Sequence, residues 1–413
     1  MPDRPDTSPE HLPTGVELTA LDPTFRADPY PVFARLRESG PVHRDDDIKR
    51  WVLTSHDDVD RVLRDRTMAV DPRKATPGTY MHLFLSTRGR EHSMLMQDAP
   101  AHTRLRALVS KAFTAPRVER LAPRIHDIID GLLDAVEGQE SFDLIEAFAG
   151  PLPVIVIAEM LGVDAADHRD FKRWSYWIGM TLNPRLTDGE RAGIAAAIEE
   201  SDTYLERVIA ERRGQPGEDL ISAMILAEEQ GDQLTDDEIV TMCRLLLAAG
   251  NLTTTDLIGN GVWTLLRHPA ELQKLRDDPS LIKNAVEEIL RFESPVVQTA
   301  RIPMKDLEVG GCPITSGESV LSFVAAANRD PAVYPEPDRF DVSREDVHHH
   351  SFGGGAHFCL GAPLARLEAQ MAIAALVRRF PHLRLADEPL DWRAIPAFRG
   401  LAGLRVVVKE ASA

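Results

Sequence analysis

A mainly helical α+β fold, built as one unit, follows from three features of this sequence. Apolar residues recur at helical spacing through most of the stretch from Ala101 to Leu290, as in "RVERLAPRIHDIIDGLLDAVEG" and "RAGIAAAIEESDTYLERVIAERRG". Beyond Pro295 the texture changes to short strand-like runs, "LEVGGCPI" and "ESVLSFVAAA", joined by the proline-rich "NRDPAVYPEPDRFDVSRED". No linker-like stretch divides the chain, although 413 residues alone would suggest two or three domains. The prediction is a large helical region and a smaller β-rich one, in a single domain over 28–413, after a polar, loosely ordered leader at 1–27.

The elements follow in order. "DPYPVFARLRESG" reads as a helix closed by Gly40. "PVHRDDDIKRWVLTS" reads as two short strands around a charged turn, and "HDDVDRVLRD" as a helix. From Ala69 to Met94 there is little periodicity, with Pro72, Pro77 and Gly78, which predicts a long loop, of a length that is usually functional or disordered. The longest helix starts at Thr235. In "TDDE" the Thr235 side chain caps and Glu238 reaches back, a capping box. The helix continues to Arg267, before Pro269, and 33 residues would span about 50 Å. Later, "LGAPLARLEAQMAIAALVRRF" is helical, while "LRLA" and "LRVVV" are strand-like.

Composition excludes several classes. The formal net charge of -18 argues against nucleic acid or an anionic membrane as partner. Three cysteines, Cys243, Cys312 and Cys359, are too few for a disulfide framework and fit a reducing compartment. The first residues, "MPDRPDTSPEHLPTG", lack the apolar run of a secretory signal, and no stretch is apolar enough to span a bilayer. A soluble, cytoplasmic protein is the expectation.

Two stretches carry the chemistry. The first, "LLLAAGNLTTTDLIGNG" from Leu245 to Gly261, puts Gly250, Asn251 and three threonines at the centre of the longest helix. Glycine there costs about 1 kcal/mol relative to alanine, and threonine is a middling helix former. The second, "HSFGGGAHFCLGAPLAR", places Cys359 between a glycine-rich loop and a helix start. The helix dipole and free amides there are expected to lower the thiol pKa. Pro363 suits a first helical turn. Such a cysteine could be a nucleophile with His357 as base, or a zinc ligand with His357 and the run His348–His350. It could equally be a single thiolate ligand to haem iron, or a small buried residue at a turn.

"FGGGAHFCLG" resembles the haem-binding loop of the cytochrome P-450 family, with Phe352, Gly353, Gly355, His357, Cys359 and Gly361 at the matching places. The E-x-x-R pair of that family falls on Glu288 and Arg291, the arginine of "PDRF" on Arg339, and "AGNLTT" matches the oxygen-binding groove of the central helix. The resemblance runs from "DPYPVFARLRE" to "FRGLAGLRVVV" and is strongest to the soluble bacterial class. It implies the cytochrome P-450 fold, helical and β-rich regions enclosing haem b, with Cys359 on the iron. By the same resemblance Glu288, Arg291 and Arg339 form a buried network behind the haem. His102, Arg106, Arg301 and His357 meet the propionates. Ala249 and Gly250 leave room for oxygen, and the Thr253 hydroxyl, with Asn251 beside it, guides protons.

The implied activity is monooxygenation of a small apolar substrate with O2. No flavin or nicotinamide fingerprint accompanies it, so ferredoxin and ferredoxin reductase are the expected electron donors, docking on Arg104, Lys111 and Arg117. A peroxide-driven or nitric-oxide-reducing enzyme, and a non-catalytic haem sensor or carrier, are the alternatives. Substrate-lining candidates are Tyr80–Leu85, "FKRWSYWIGM", Val296–Val297 and Leu401–Ala402. One departure stands out: Leu252 occupies the place before Thr253 where the family usually carries Asp or Glu. Asp256, three residues on, is the nearby ionisable group, and a Thr253–water relay with Asn251 is the expected substitute.

Overall fold

A 32-residue helix, Asp236–Arg267, runs through the molecule and organises it. Its start is the expected capping box: Glu238 donates its amide to Thr235 Oγ1 at 3.1 Å, and Thr235 donates its own to Glu238 Oε2 at 3.0 Å. At about 1.5 Å per residue it is about 48 Å long. Helices Pro151–Leu161, His168–Met180, Asp188–Gly214 and Ala362–Arg379 pack around it, which is why most of its side chains are buried. This computed structural model describes residues 12–87, 93–110, 112–226 and 234–409.

The β-rich region forms around one five-stranded sheet. Its strands are β1 (Val42–Asp45), β2 (Arg50–Leu53), β3 (Met68–Ala69), β4 (Thr299–Pro303) and β5 (Val320–Ser322), in the order β1-β2-β5-β4-β3. Only β2 and β5 run parallel; the hairpin β1–β2 pairs Val42 with Leu53 and Asp45 with Arg50. Helices Tyr30–Ser39 and His56–Arg64 form as the sequence predicts, the first ending at Gly40 with φ 144°. The two regions have separate apolar clusters. The larger joins the central helix to its neighbours; a second joins Phe25, Phe33 and Phe323 beneath the sheet.

Two expectations change. The leader is not loose from Gly15 onward: Gly15–Leu18 and Pro23–Ala27 are short helices, and Leu18 and Phe25 are buried in the second cluster. Its polar composition misleads because a few apolar side chains suffice to pin it. Residues 1–11 lie outside the described part. The 69–94 loop contains short 3-10 turns, Pro72–Lys74 and Met81–Thr87, and buries Tyr80, Met81 and Phe84 in the core. Among the described residues no helix is long and apolar enough to cross a membrane.

Candidate active site

The glycine loop folds back on itself before the last long helix. Cys359 donates its amide to Phe352 O at 2.9 Å, and Gly353 to His350 O at 2.8 Å. Gly353 and Gly355 have φ of +69° and +65°, the left-handed region that glycine enters freely. At Gly355 a side chain is excluded twice over, because an added Cβ would lie 2.4 Å from Leu63 O. Gly361 is different: an added Cβ would meet no protein atom within 4 Å. Helix Ala362–Arg379 then starts with proline in its first turn.

Cys359 is half-buried, and the amides of Gly361 and Ala362 are hydrogen-bonded to it. Burial nonetheless pushes its thiol pKa up, outweighing those amides and Arg106. The expected fall from the helix terminus is therefore corrected: desolvation wins, and a cation at the sulfur would be needed to hold it as thiolate. The zinc alternative finds no ligand set. Among the described residues no three His, Cys, Asp or Glu side chains converge on one point. His349 Nε2 meets Glu287 Oε2 at 3.1 Å, and the His350 ring lies 4.4 Å from that of His56, tilted by 41°.

Beside the cysteine four donor side chains converge from three segments. His102 and Arg106 share one face of helix Ala101–Ser110; Arg301 sits on β4; His357 is in the loop. The His102 and His357 rings lie 4.1 Å apart, and Arg106 Nη2 donates to Phe358 O at 2.6 Å. Burial, then the neighbouring His102, Arg301 and Arg106, holds the His357 pKa down at about 3. Burial likewise lowers Arg301 to about 10 and lowers His102 and Arg106. Among the described residues no ion pair joins any of the four to a carboxylate. Asp98, which opposes the shifts of three of them, is itself held by the amides of Val70 and Asp71 and by Lys74. Such a donor set matches a ligand with paired carboxylates.

The central helix faces the same region with its weak residues. Ala249 is exposed, and Leu245, Gly250 and Thr253 are half-buried, while Leu246, Leu247, Ala248, Asn251, Leu252 and Thr254 are buried. Leu245, Ala249 and Thr253 are four residues apart, so they make one stripe. Glycine at 250 is not forced by close packing: the nearest atoms to an added Cβ would be those of Ile157, at 3.7 Å and beyond, an ordinary contact. Thr253 Oγ1 donates to Ala249 O at 2.7 Å. Asn251 points elsewhere: its amide donates to Ser175 Oγ at 3.2 Å and its Oδ1 accepts from Thr255 Oγ1 at 3.3 Å. Asp256 is buried in an ion pair with Arg393, and Leu252 packs with Met180, Ile194 and Ile395.

A P450 family model, described as Cytochrome P450, matches residues 170–391. The chain belongs to the cytochrome P450 family. It is 42% identical to the cytochrome P450 monooxygenase PikC of Streptomyces venezuelae, over 95% of this chain and 94% of that protein. It is 40% identical to the 6-deoxyerythronolide B hydroxylase of Saccharopolyspora erythraea, over 93% and 96%. Among solved structures, ligand-free CYP164A2 of Mycobacterium smegmatis superposes with TM-score 0.87 at 42% identity, covering 94% of this chain and 98% of that one. The protein is thus a haem-thiolate monooxygenase of the P450 fold, and haem b is its cofactor. The donor set and the accessible stripe fit that group.

The structure also moves one residue of this P450. Arg339 is not in the buried network: its side chain is 53% exposed and pairs with Glu336 and Asp341, and only its carbonyl accepts from Arg291. The second cation on Glu288 is Arg344, with Nε at 3.3 Å. "FDVSRED" carried it, but no spacing in an irregular meander says which arginine turns inward. Arg104 is held by Glu238, Arg117 is exposed, and the side chain of Lys111 lies outside the described residues. Of the lining candidates, Tyr80, Met81, Phe84, Phe171, Trp174, Val297 and Leu401 are core residues. Val296 and Phe398 are half-buried and bridge each other, and the Leu85 side chain is not among those described.

Proposed function

We propose that this P450 inserts one oxygen atom of O2 into a small apolar organic molecule, with electrons from a separate ferredoxin and its reductase. The observation that carries the reading is the convergence of three features. These are a cysteine in a left-handed glycine loop, four donors without carboxylate ion pairs among the described residues, and an accessible Ala249–Thr253 stripe. The name of the 6-deoxyerythronolide B hydroxylase supports oxygen insertion as the outcome.

In this reading Cys359 ligates the iron, steadied by the amides of Gly361 and Ala362. Phe352 and Gly353 shape the loop around the cysteine, and Gly361, where an added Cβ meets no protein atom within 4 Å, would leave room for the cofactor. His102, Arg106, Arg301 and His357 bind the propionates. Bound haem supplies the one-electron chemistry and O2 activation. Ala249 and Gly250 keep side-chain bulk out of the groove, and Thr253 holds a proton at Oγ1. Asn251 braces the helix through Ser175 and lies outside the proton path. An exposed Phe358, 41% accessible, with the exposed Arg117, offers the donor an apolar and basic contact on an acidic protein.

The test is a substrate screen read by the Soret band, then turnover under isotopically labelled O2 with a surrogate ferredoxin system. One labelled oxygen per product supports the reading. Product that forms only with peroxide, or without label, rejects it. Cys359→Ala should lose the red-shifted carbon-monoxide band of a thiolate ligand.

A further inference from the structure

A cleft of about 970 Å³ opens between helix Tyr30–Ser39, the last turn of the central helix and the segment around Trp392. None of the active-site residues lines it. Thr264, on its wall, lies eleven residues beyond Thr253, about 16 Å along the helix axis. The size is that of a small-molecule pocket.

Its polar lining is unfinished. Tyr30 Oη, Arg37 Nε and Nη1, Trp263 Nε1 and Thr264 Oγ1 are all buried without a hydrogen-bond partner among the described residues. Trp263 and Thr264 are 7% and 1% exposed, so their polar atoms have little access to bulk water. Leaving such groups unsatisfied is costly, and an indole N–H and a guanidinium can only donate. Among the described residues the Arg37 guanidinium makes one hydrogen bond, Nη2 to Arg329 O at 3.3 Å, with Asp330 at 3.9 Å. The walls are aromatic: Trp263 and Trp392 meet edge to face at 5.1 Å, and Tyr30 and Phe292 sandwich the Arg329 guanidinium at 3.3 and 3.7 Å. Four arginines and four carboxylates line the cleft, so its charge cancels.

Unpartnered donors call for acceptor oxygens, the Trp263–Trp392 wall for a flat ring, since Arg329 already fills the space between Tyr30 and Phe292, and a neutral lining for an uncharged molecule. We propose that this cleft is a second small-molecule site, for a neutral ring compound bearing carbonyl oxygens. It is separate from the haem pocket and does not depend on the substrate reading above.

The test is equilibrium dialysis of the holoenzyme against prodan, a neutral naphthyl ketone, with the haem pocket saturated by phenylimidazole. One prodan site should persist, with no Soret shift. Trp263→Phe, which keeps an aromatic, if smaller, side chain and loses the N–H, and Arg37→Met should each weaken it about tenfold. Leu390→Trp, at a lining residue 40% exposed, should block it without touching the core. Should Trp263→Phe fail to fold, the other two variants decide. Loss of all binding under phenylimidazole overturns the proposal. So does unchanged affinity in the variants, or equal affinity for the carbonyl-free alkylnaphthalene.

Discussion

Arg291 grips the Glu288 carboxylate through Nε at 2.7 Å and Nη2 at 2.8 Å, and both side chains are fully buried. The remaining valences are filled. Arg291 Nη1 donates to Asn328 O and Pro337 O, and Glu288 Oε1 accepts the Asp341 amide at 3.0 Å. The pair thereby staples helix Ile282–Phe292 to the meander that leads into the cysteine loop. Removing one partner of a buried pair strands a charge and costs about 3–5 kcal/mol. Arg291→Met should abolish haem loading or folding, read by haem content after purification.

The same network separates two arginines. Arg344 is 14% exposed and touches Glu288, whereas the Arg339 side chain is 53% exposed and pairs with the exposed Glu336 and the half-buried Asp341. Exposed pairs contribute about 0–1 kcal/mol. In urea unfolding Arg339→Met should stay within that range, and Arg344→Met should lose clearly more. The reverse order would show that Arg339 is the structural cation after all.

These residues show where the sequence was informative. A capping box, a helix-spaced Glu288–Arg291 pair and a glycine loop are local patterns, and each formed as read. The central helix was legible because its weak residues contradict its burial. What stayed hidden is tertiary. Arg344 and the Asp256–Arg393 pair join segments 56 and 137 residues apart, which spacing cannot report. Gly400 belongs here too: an added Cβ would sit 1.8 Å from Asp256 Oδ1, a close approach invisible in "FRGLAG". Nor could composition reveal that desolvation outweighs the helix terminus at Cys359.

Two glycines of the loop should respond differently. Gly355→Ala forces a left-handed backbone and a clash with Leu63 O, so it should lose roughly 1–2 kcal/mol from conformation alone, and more from the contact. Gly361→Ala meets no protein atom. Its apoprotein should be as stable as wild type within about 0.5 kcal/mol, while its haem is lost more readily to apomyoglobin. Equal haem retention in wild type and Gly361→Ala would show that the ring does not approach this residue.

Glu368 supplies a pH test. It is fully buried in helix Ala362–Arg379 with Oε2 unpartnered, and burial pushes its pKa from 4.5 to about 8. A raised folded pKa means that the native state holds a proton the unfolded chain releases. Stability from this group is complete below pH 4.5 and falls as pH rises through about 8. Each pKa unit is about 1.4 kcal/mol. Glu368→Gln should differ least from wild type near pH 5 and exceed it by a margin that grows up to about pH 8 and then levels off, measured by urea unfolding. A constant difference across that range would mean that the carboxyl is ionised when folded.

Leu252 sets the last prediction. It is 6% exposed and packs with Met180, Ile194 and Ile395, one methyl lying 3.2 Å from where a Cβ on Gly179 would stand. The place of the usual acid is therefore an apolar contact between the central helix and its neighbours. Asn251 does not replace it, because its amide is taken by Ser175 and Thr255. Asp256 is held by Arg393, so Thr253, bonded to Ala249 O, has no ionisable partner among the described residues. A positioned proton-transfer group contributes about 10²–10⁴-fold to a step limited by it. Turnover with O2 should be slow and should divert NADH electrons to hydrogen peroxide, while peroxide-driven turnover is spared. Leu252→Glu should raise product formed per NADH, at a cost in melting temperature because its carboxylate enters an apolar cluster. Leu252→Met, which keeps the packing, should change neither. If wild type is already tightly coupled and Leu252→Glu brings no gain, protons reach the groove without an acid at this position, and the leucine is no handicap.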